Sequence, residues 1–459
     1  MAPPKKTKTM ALDYEEQRQE NIKRNKEMIA SILRQKSQLA SILSPPKPKR
    51  SLRKPTKPNP SPTTLRRSLR SRGLPPPDST QIPTPTSSPS REIPSGQFSF
   101  SDALVGSDSC RPLVEAMRLI EEKREMGSVG KEVDFCLDVR VELRLKEENV
   151  RRMVGERITI VKFLPVLGRS IVVSGNKQGY LGFWDADATG ENGEGDSDGV
   201  SVFFPHRSTV SGISVHPYSL RKIYSSCYHG DLCLMDMEKE MFDIIHSSDF
   251  SIFSLCQSPH DHNSLFLGYG GKVKSFDERT GKIIDVWEMH DQRVNTIDFH
   301  PGNSNMIATS SSDGFVRLWD LRCIDKDQPK SIKEAAHNRA VHSAYFSPTG
   351  NSIVSTSFDD TVRIWSYPQF ENLSTIRHNN QTGRWLSSFR AIWGWNDSYI
   401  FIGNMQRAVD VISTEDSVVT TPLQSEYMTN IPCRFATHPY EEGRLACAGG
   451  GKLYLWTKM

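Results

Sequence analysis

The feature that most constrains this chain is a segment ending in an aromatic residue and an aspartate, which recurs through the last three hundred residues. Its fullest copy is HDQRVNTIDFHPGNSNMIATSSSDGFVRLWDLR (290–322), and HNRAVHSAYFSPTGNSIVSTSFDDTVRIWS (337–366) repeats the frame. The frame also runs from Arg157 to Asp185 (ending GFWD), His206 to Asp236 (CLMD) and Asp249 to Asp277 (KSFD). It returns from Trp385 to Ser413 and from Asn430 to Trp456. A period of roughly 40–47 residues fits one small twisted sheet per unit. Such a sheet cannot cover both of its faces alone, so neighbours stacked around an axis must bury them. Seven units over residues 151–459 predict an all-β, seven-bladed β-propeller.

The Trp-Asp endings make this a WD40 pattern with a specific internal chemistry. The His of the loop leading into a blade, a strand hydroxyl, a turn Asp and the Trp N–H can share one buried hydrogen-bond network, which rigidifies a blade when every member is satisfied. In blade four these roles fall to His290, Ser310, Asp313 and Trp319, and in blade five to His337, Asp359 and Trp365. These residues are read as structural, not as a catalytic pair. Blades one, two, three, six and seven carry Gln178, His229, Gly270, Gln406 and Gly450 at the turn position and should rest mainly on apolar strands. The last strand, Lys452–Trp456, has no outer partner after it. An open edge invites aggregation, so Val150–Val154 is the expected cover. The insertion TGENGEGDSDG (189–199) should be a mobile loop.

Charge divides the chain. Residues 1–100 hold 20 Lys+Arg against 7 Asp+Glu, a balance of +13 that leaves −9 on the remainder. Asp13–Leu43 has a helical stripe of Ile22, Ile29 and Leu33, with acids early and cations late, as the helix dipole favours. This amphipathic helix either docks on a partner or packs on its own propeller. Residues 45–97 turn to Pro, Ser, Thr and cations, a composition that cannot offset chain entropy and should be disordered. Ten cations and no acid lie between Pro45 and Arg72. Lys47, Lys49 and Arg50 form one cluster, and Arg66, Arg67, Arg70 and Arg72 another. Both resemble nuclear-import and DNA-backbone-contacting tails; a solvated spacer is the alternative. Residues 98–150 should be partly helical, with a stripe of Leu113, Ala116, Met117 and Ile120, and should lie against the propeller. The eight cysteines have neither zinc nor CxxC spacing and read as reduced core residues. No stretch nears the roughly 20 apolar residues of a membrane span, and no signal-peptide core is present, so a soluble, non-secreted protein is expected.

Two segments stand apart from blade packing. Arg322 follows Trp319-Asp320 just past a third strand, where its guanidinium could leave the rim and pair bidentately with a carboxylate. Phe276-Asp277-Glu278-Arg279 is a weaker copy. The second segment, Ile376–Trp395, breaks the repeat frame. Its Arg377, His378, Arg384, Trp385 and Arg390 combine phosphate partners with a stacking plate, as nucleic-acid sites do. The bland alternatives are a surface arginine after a strand, and tryptophans filling a gap between blades. No Walker loop, nucleophile elbow, HExxH or GxGxxG motif is present, so no catalysis, cofactor, metal or small-molecule substrate is expected.

Three stretches carry a family resemblance: ENIKRNKEMIASIL (20–33), GNKQGYLGFWD (175–185) and RHNNQTGRWLSSFRAIW (377–393). Together they resemble the WD repeat-containing protein 76 family, described as DNA damage-binding WD proteins and similar to DNA damage-binding protein two. The resemblance implies a nuclear protein of DNA or chromatin. The Trp-Asp-x-Arg pattern resembles the box by which WD proteins dock on the damage-binding adaptor of cullin-RING ubiquitin ligases. Asp313, Trp319, Asp320, Arg322, Asp277 and Arg279 are the residues it would involve. Gly383-Arg384-Trp385 falls roughly where the relative has its Phe-Gln-His lesion probe. The chemistry differs, so DNA affinity is implied and lesion preference is not. The competing expectation is a chromatin scaffold or histone reader with no ligase link.

Overall fold

Ile171–Asn176, Leu181–Asp185 and Leu232–Asp236 are buried along their whole length, so neither face of the sheets they form can meet solvent. The computed structural model describes residues 19–20, 23–24, 27, 96–106, 110–125, 143–188, 199–216, 219–259, 261, 263–326, 328–383, 385–420 and 422–458. Two compact units divide the chain, residues 1–88 and 89–459. In the first, residues 19–20, 23–24 and 27 are helical and exposed. The rest of the expected helix and the basic clusters between 47 and 72 lie outside the described residues, as does most of the 189–199 insertion.

The second unit is a seven-bladed β-propeller. The innermost strands begin at Ile158, Val210, Ile252, Val294, Val341, Ile392 and Arg434 in blades one to seven. Each adjoins the next, and Arg434–Thr437 returns to Ile158–Phe163 to close the ring. Strands within a blade are antiparallel. The loop leading into each first strand and the turn between second and third strands therefore share one end of the ring, here the lead-in face. The loop after each third strand lies on the opposite face. Neighbouring blades are stitched at the lead-in face: the amides of Ser248, His290 and His337 donate to the turn carbonyls of Gly230, Gly271 and Gly314. A Cβ at Gly230 or Gly271 would stand 1.9 Å from a backbone oxygen of the next lead-in loop, so glycine is needed there. In blade five Asp360 supplies the stitch, to His378, from a left-handed conformation at φ 59°.

Closure follows the sequence expectation. Val150–Arg152 lies antiparallel on the final strand, Lys452–Lys458, with Val150 opposite Tyr454, and Leu143–Arg144 extends the cover. Met153, Val154, Ile158 and Trp184 then pack with Ala446, Leu453 and Leu455 across the blade seven–one seam. A second cover was not foreseen. Gln97–Ser99 adds a fifth strand to the outside of blade two, where Phe98 stacks on Phe242 at 5.4 Å. Ser99 and Asp102 then form a capping box at the short helix Phe100–Ala103. The helix Arg111–Glu125 buries Leu113, Val114 and Met117 in the apolar cluster of blades one and two, with Ile120 partly buried beside them and Ala116 also buried, as its stripe indicated.

The blade networks hold, with one change of residue. In blade four His290 meets Asp313 at 2.8 Å through Nδ1 and Thr309 at 2.7 Å through Nε2, and Trp319 donates to Thr309 at 2.9 Å. The hydroxyl is thus Thr309, not Ser310. Adjacent strand residues face opposite sides, and Ser310 instead meets Thr296 at 2.6 Å. Blade five repeats the arrangement, with His337 on Asp359 and Ser355, and Trp365 donating to Ser355.

Candidate nucleic-acid interface

The repeat-breaking segment crosses the lead-in face from the outer edge of blade five toward the axis. Asn380 donates to the Ser357 carbonyl at 2.8 Å and Gln381 to that of Phe358 at 2.7 Å, which pins its first half to the blade-five turn. Gly383 turns the chain at φ +66°, and Trp385 emerges 91% exposed. At that exposure both faces of the indole ring are open to stacking. Arg377 is exposed at the outer end of the same segment. Lys177, Arg207, Arg339 and Arg407 are exposed in lead-in loops and turns of that face, together with the aromatics Tyr228 and Phe250. Glu156, Asp249 and Asp291 are exposed there too.

Two of the expected contact residues stand elsewhere. His378 is buried, bonding Asn380 at 2.8 Å and Asp410 at 3.2 Å. It is the lead-in histidine of blade six, and its acid has moved from the turn to the third strand, where Asp410 also accepts from Asn404. Arg390 is half-buried at the mouth of the axial channel, where it donates to the Asn295 carbonyl at 3.3 Å. Trp393 is buried and donates to the Tyr345 carbonyl, as gap-filling would have it. Arg384 lies outside the described residues.

The channel mouth holds residues that motif reading did not find. Asn295, His342, Arg390 and Arg434 occupy the same place in successive repeats, one position after a buried residue at the start of the innermost strand. Arg434 donates to the carbonyls of Thr159 and Ser388, each at 2.6 Å. Arg293 bonds Asn295 at 2.8 Å and stands 5.1 Å over the Phe253 ring, which packs edge-on to Tyr228. Among the described residues no carboxylate pairs with Arg293, Arg390 or Arg434. Burial, then Arg390, lowers Arg434 to about 10; burial and the three arginines hold His342 neutral down to about 3. The signal was a single column of the repeat alignment, legible only once the first strands are set side by side.

On the opposite face Arg322 is exposed and already gripped: its Nε and Nη2 meet the two oxygens of Asp320 at 3.0 and 2.6 Å. Asp320 is held below the usual carboxylate range by that hydrogen bond. Arg279 is also exposed and stands 3.7 Å from Asp277, a looser version one blade away. Asp313 and Trp319 are sealed in the blade-four network. The exposed part of this motif is therefore the arginine, oriented by its own aspartate.

Residues 281–320 and 329–366, which hold the first three strands of blades four and five, match the family described as WD domain, G-beta repeat. The chain is 30% identical over 349 residues to WD repeat-containing protein 76 of Xenopus laevis, an alignment covering 73% of this chain and 58% of that protein. It is 29% identical over 343 residues to DNA damage-binding protein cmr1 of Neurospora crassa, covering 66% and 65%. With DNA damage-binding protein cmr1 of Aspergillus oryzae it is 25% identical over 405 residues, covering 79% and 77%. The chain thus spans 58% and 65% of the length of the first two of these relatives.

Proposed function

Since the chain is a WD-repeat homologue of WD repeat-containing protein 76 and the CMR1 proteins, we propose that it is a nuclear DNA-binding protein whose lead-in face meets duplex DNA. The observation that carries this reading is Trp385, 91% exposed on a loop that also presents Arg377, above a channel mouth rich in arginine. Guanidinium and ammonium groups neutralise phosphates, while an exposed indole offers a plate for an unstacked base. The basic segment 45–72 would add a second, sequence-independent hold. Binding of a labelled duplex across a salt series tests the face. Arg377→Ala and Arg384→Ala should each flatten the log–log salt slope by about 0.9. Trp385→Ala should weaken binding by about 1 kcal/mol or more. Unchanged affinity and slope in all three would remove the lead-in face from consideration, and deletion of 45–72 would show whether the tail supplies all the binding.

The opposite face supports a second role, substrate receptor of a cullin-RING ubiquitin ligase docked through its damage-binding adaptor. What favours it is the Asp320–Arg322 fork, which holds a guanidinium outward with its rotamers already restricted, so less entropy is lost on docking. Recovery of the adaptor with parent and with Arg322→Ala plus Arg279→Ala decides the matter. Equal recovery would leave a chromatin scaffold or histone-binding propeller with no ligase link.

A further inference from the structure

The axial channel mouth concentrates positive charge, and among the described residues no carboxylate pairs with its three arginines. Arg293, Arg390 and Arg434 come from the loops and first strands of blades four, six and seven, and all three lie near the His342 ring of blade five. Their bonds go to neutral groups: Arg434 to the carbonyls of Thr159 and Ser388, Arg390 to that of Asn295, Arg293 to the Asn295 side chain. Carbonyls saturate donors but do not cancel charge, so like-charge repulsion among the three arginines persists. Two buried nitrogens there are left with no protein partner, Nε of Arg390 and Nε2 of His342, and His342 is 5% exposed. Buried polar groups are nearly always satisfied, and each unsatisfied one asks for an explanation.

We propose that the lead-in mouth of the channel is a phosphate-binding site, in which Arg293, Arg390 and Arg434 surround one phosphate group and the imidazole of His342 donates to it through Nε2. A phosphate supplies the missing negative charge and enough acceptor oxygens for the idle donors. A neutral imidazole still has one N–H to give, and the surrounding guanidinium groups keep it neutral. This goes beyond the DNA-facing reading, because a phosphate of either source, a DNA backbone or a free polyphosphate, satisfies the same donors.

The test uses the full chain, with inorganic tripolyphosphate and a short DNA duplex as probes and the His342 imidazole followed by NMR. Saturable tripolyphosphate binding that moves the His342 resonance is expected. Arg293→Gln, a change at an exposed loop residue, should weaken it roughly tenfold. Arg390→Gln should do the same, and if that variant fails to fold, Arg293→Gln with the His342 signal suffices. Tripolyphosphate displacing the duplex would support the site with a DNA phosphate as its ligand. Simultaneous binding of both would support it with a free polyphosphate. Absence of saturable tripolyphosphate binding, a still His342 resonance, or full affinity in Arg293→Gln overturns the proposal. Duplex binding that persists in that case leaves the DNA-facing reading standing, whereas loss of duplex binding with tripolyphosphate binding intact removes that reading alone.

Discussion

Blades four and five are built on a complete network, and blades two and six on fragments of one. In blade four His290 has a partner on each ring nitrogen, and Trp319 shares the Thr309 oxygen. In blade two His206 bonds Ser225 at 2.8 Å, but its Nδ1 is buried with no partner and Met235 stands where the tryptophan would be. Blade six keeps the histidine and relocates the acid to Asp410. Yet all four are four-stranded sheets at their core, with second strands buried almost throughout. Apolar strand packing therefore makes a blade, and the polar network fixes how rigidly it is held. The family match falls on the two networked blades for the same reason.

If packing and closure dominate, damage to the seam must outweigh damage to any single network. Deleting residues 449–459 removes the strand on which Val150–Arg152 and Leu143–Arg144 pair. The expected outcome is loss of a cooperative thermal transition, and a truncated chain melting like the parent would break the comparison at its root. Next in size is Thr309→Val, which leaves the His290 Nε2 and the Trp319 N–H without a partner. At about 1–3 kcal/mol per stranded group, urea unfolding should show a loss of about 4 kcal/mol. Ser225→Ala strands one ring nitrogen, and about half that loss is expected. Equal losses would mean that the complete network is no more consequential than its fragment.

These differences also explain what could be read in the sequence. Seven blades, the closure by residues 150–154 (paired at 150–152) and the His337–Asp359 pair followed from periodicity and residue type, both local properties. Thr309, not Ser310, is the network hydroxyl because a strand shows its face only through register, and the two stand one residue apart. His378 looked available because it stands among cations in a segment that breaks the frame, while the acid that buries it, Asp410, lies 32 positions further on. Arg293, His342 and Arg434 carry no motif at all. They converge because the ring closes, a fact of tertiary geometry and not of any one repeat. The exposure of Trp385 and of Arg322 was legible because neither has a role in blade packing.

A pH series sharpens the contrast from another side. Burial lowers His206 to about 4, with Asp231 opposing only in part. The neutral form is favoured in the folded state, so between its folded value and the unfolded value of about 6.5 only the unfolded chain binds the proton. The resulting stability is fully present above about pH 6.5 and is lost as pH falls toward 4. His206→Gln should flatten urea-unfolding stability over that window by about 3 kcal/mol. A slope unchanged by the substitution would show that blade two does not hold its histidine as tightly as its burial indicates.

The smallest effect on stability belongs to the opposite face. Arg322 and Asp320 form a well-aligned fork, but the arginine is 63% exposed, and solvent-exposed pairs add little to stability. Arg322→Ala should therefore leave the urea midpoint at the parent value while reducing adaptor recovery in a pull-down. The looser Arg279–Asp277 pair should matter less on both counts. The two measurements pull apart the explanations for the fork. A residue retained for packing would lower stability and leave recovery intact, whereas a docking residue does the reverse. Networked interior and free rim thus make opposite demands of a side chain, and Arg322 is where that opposition is most cheaply measured.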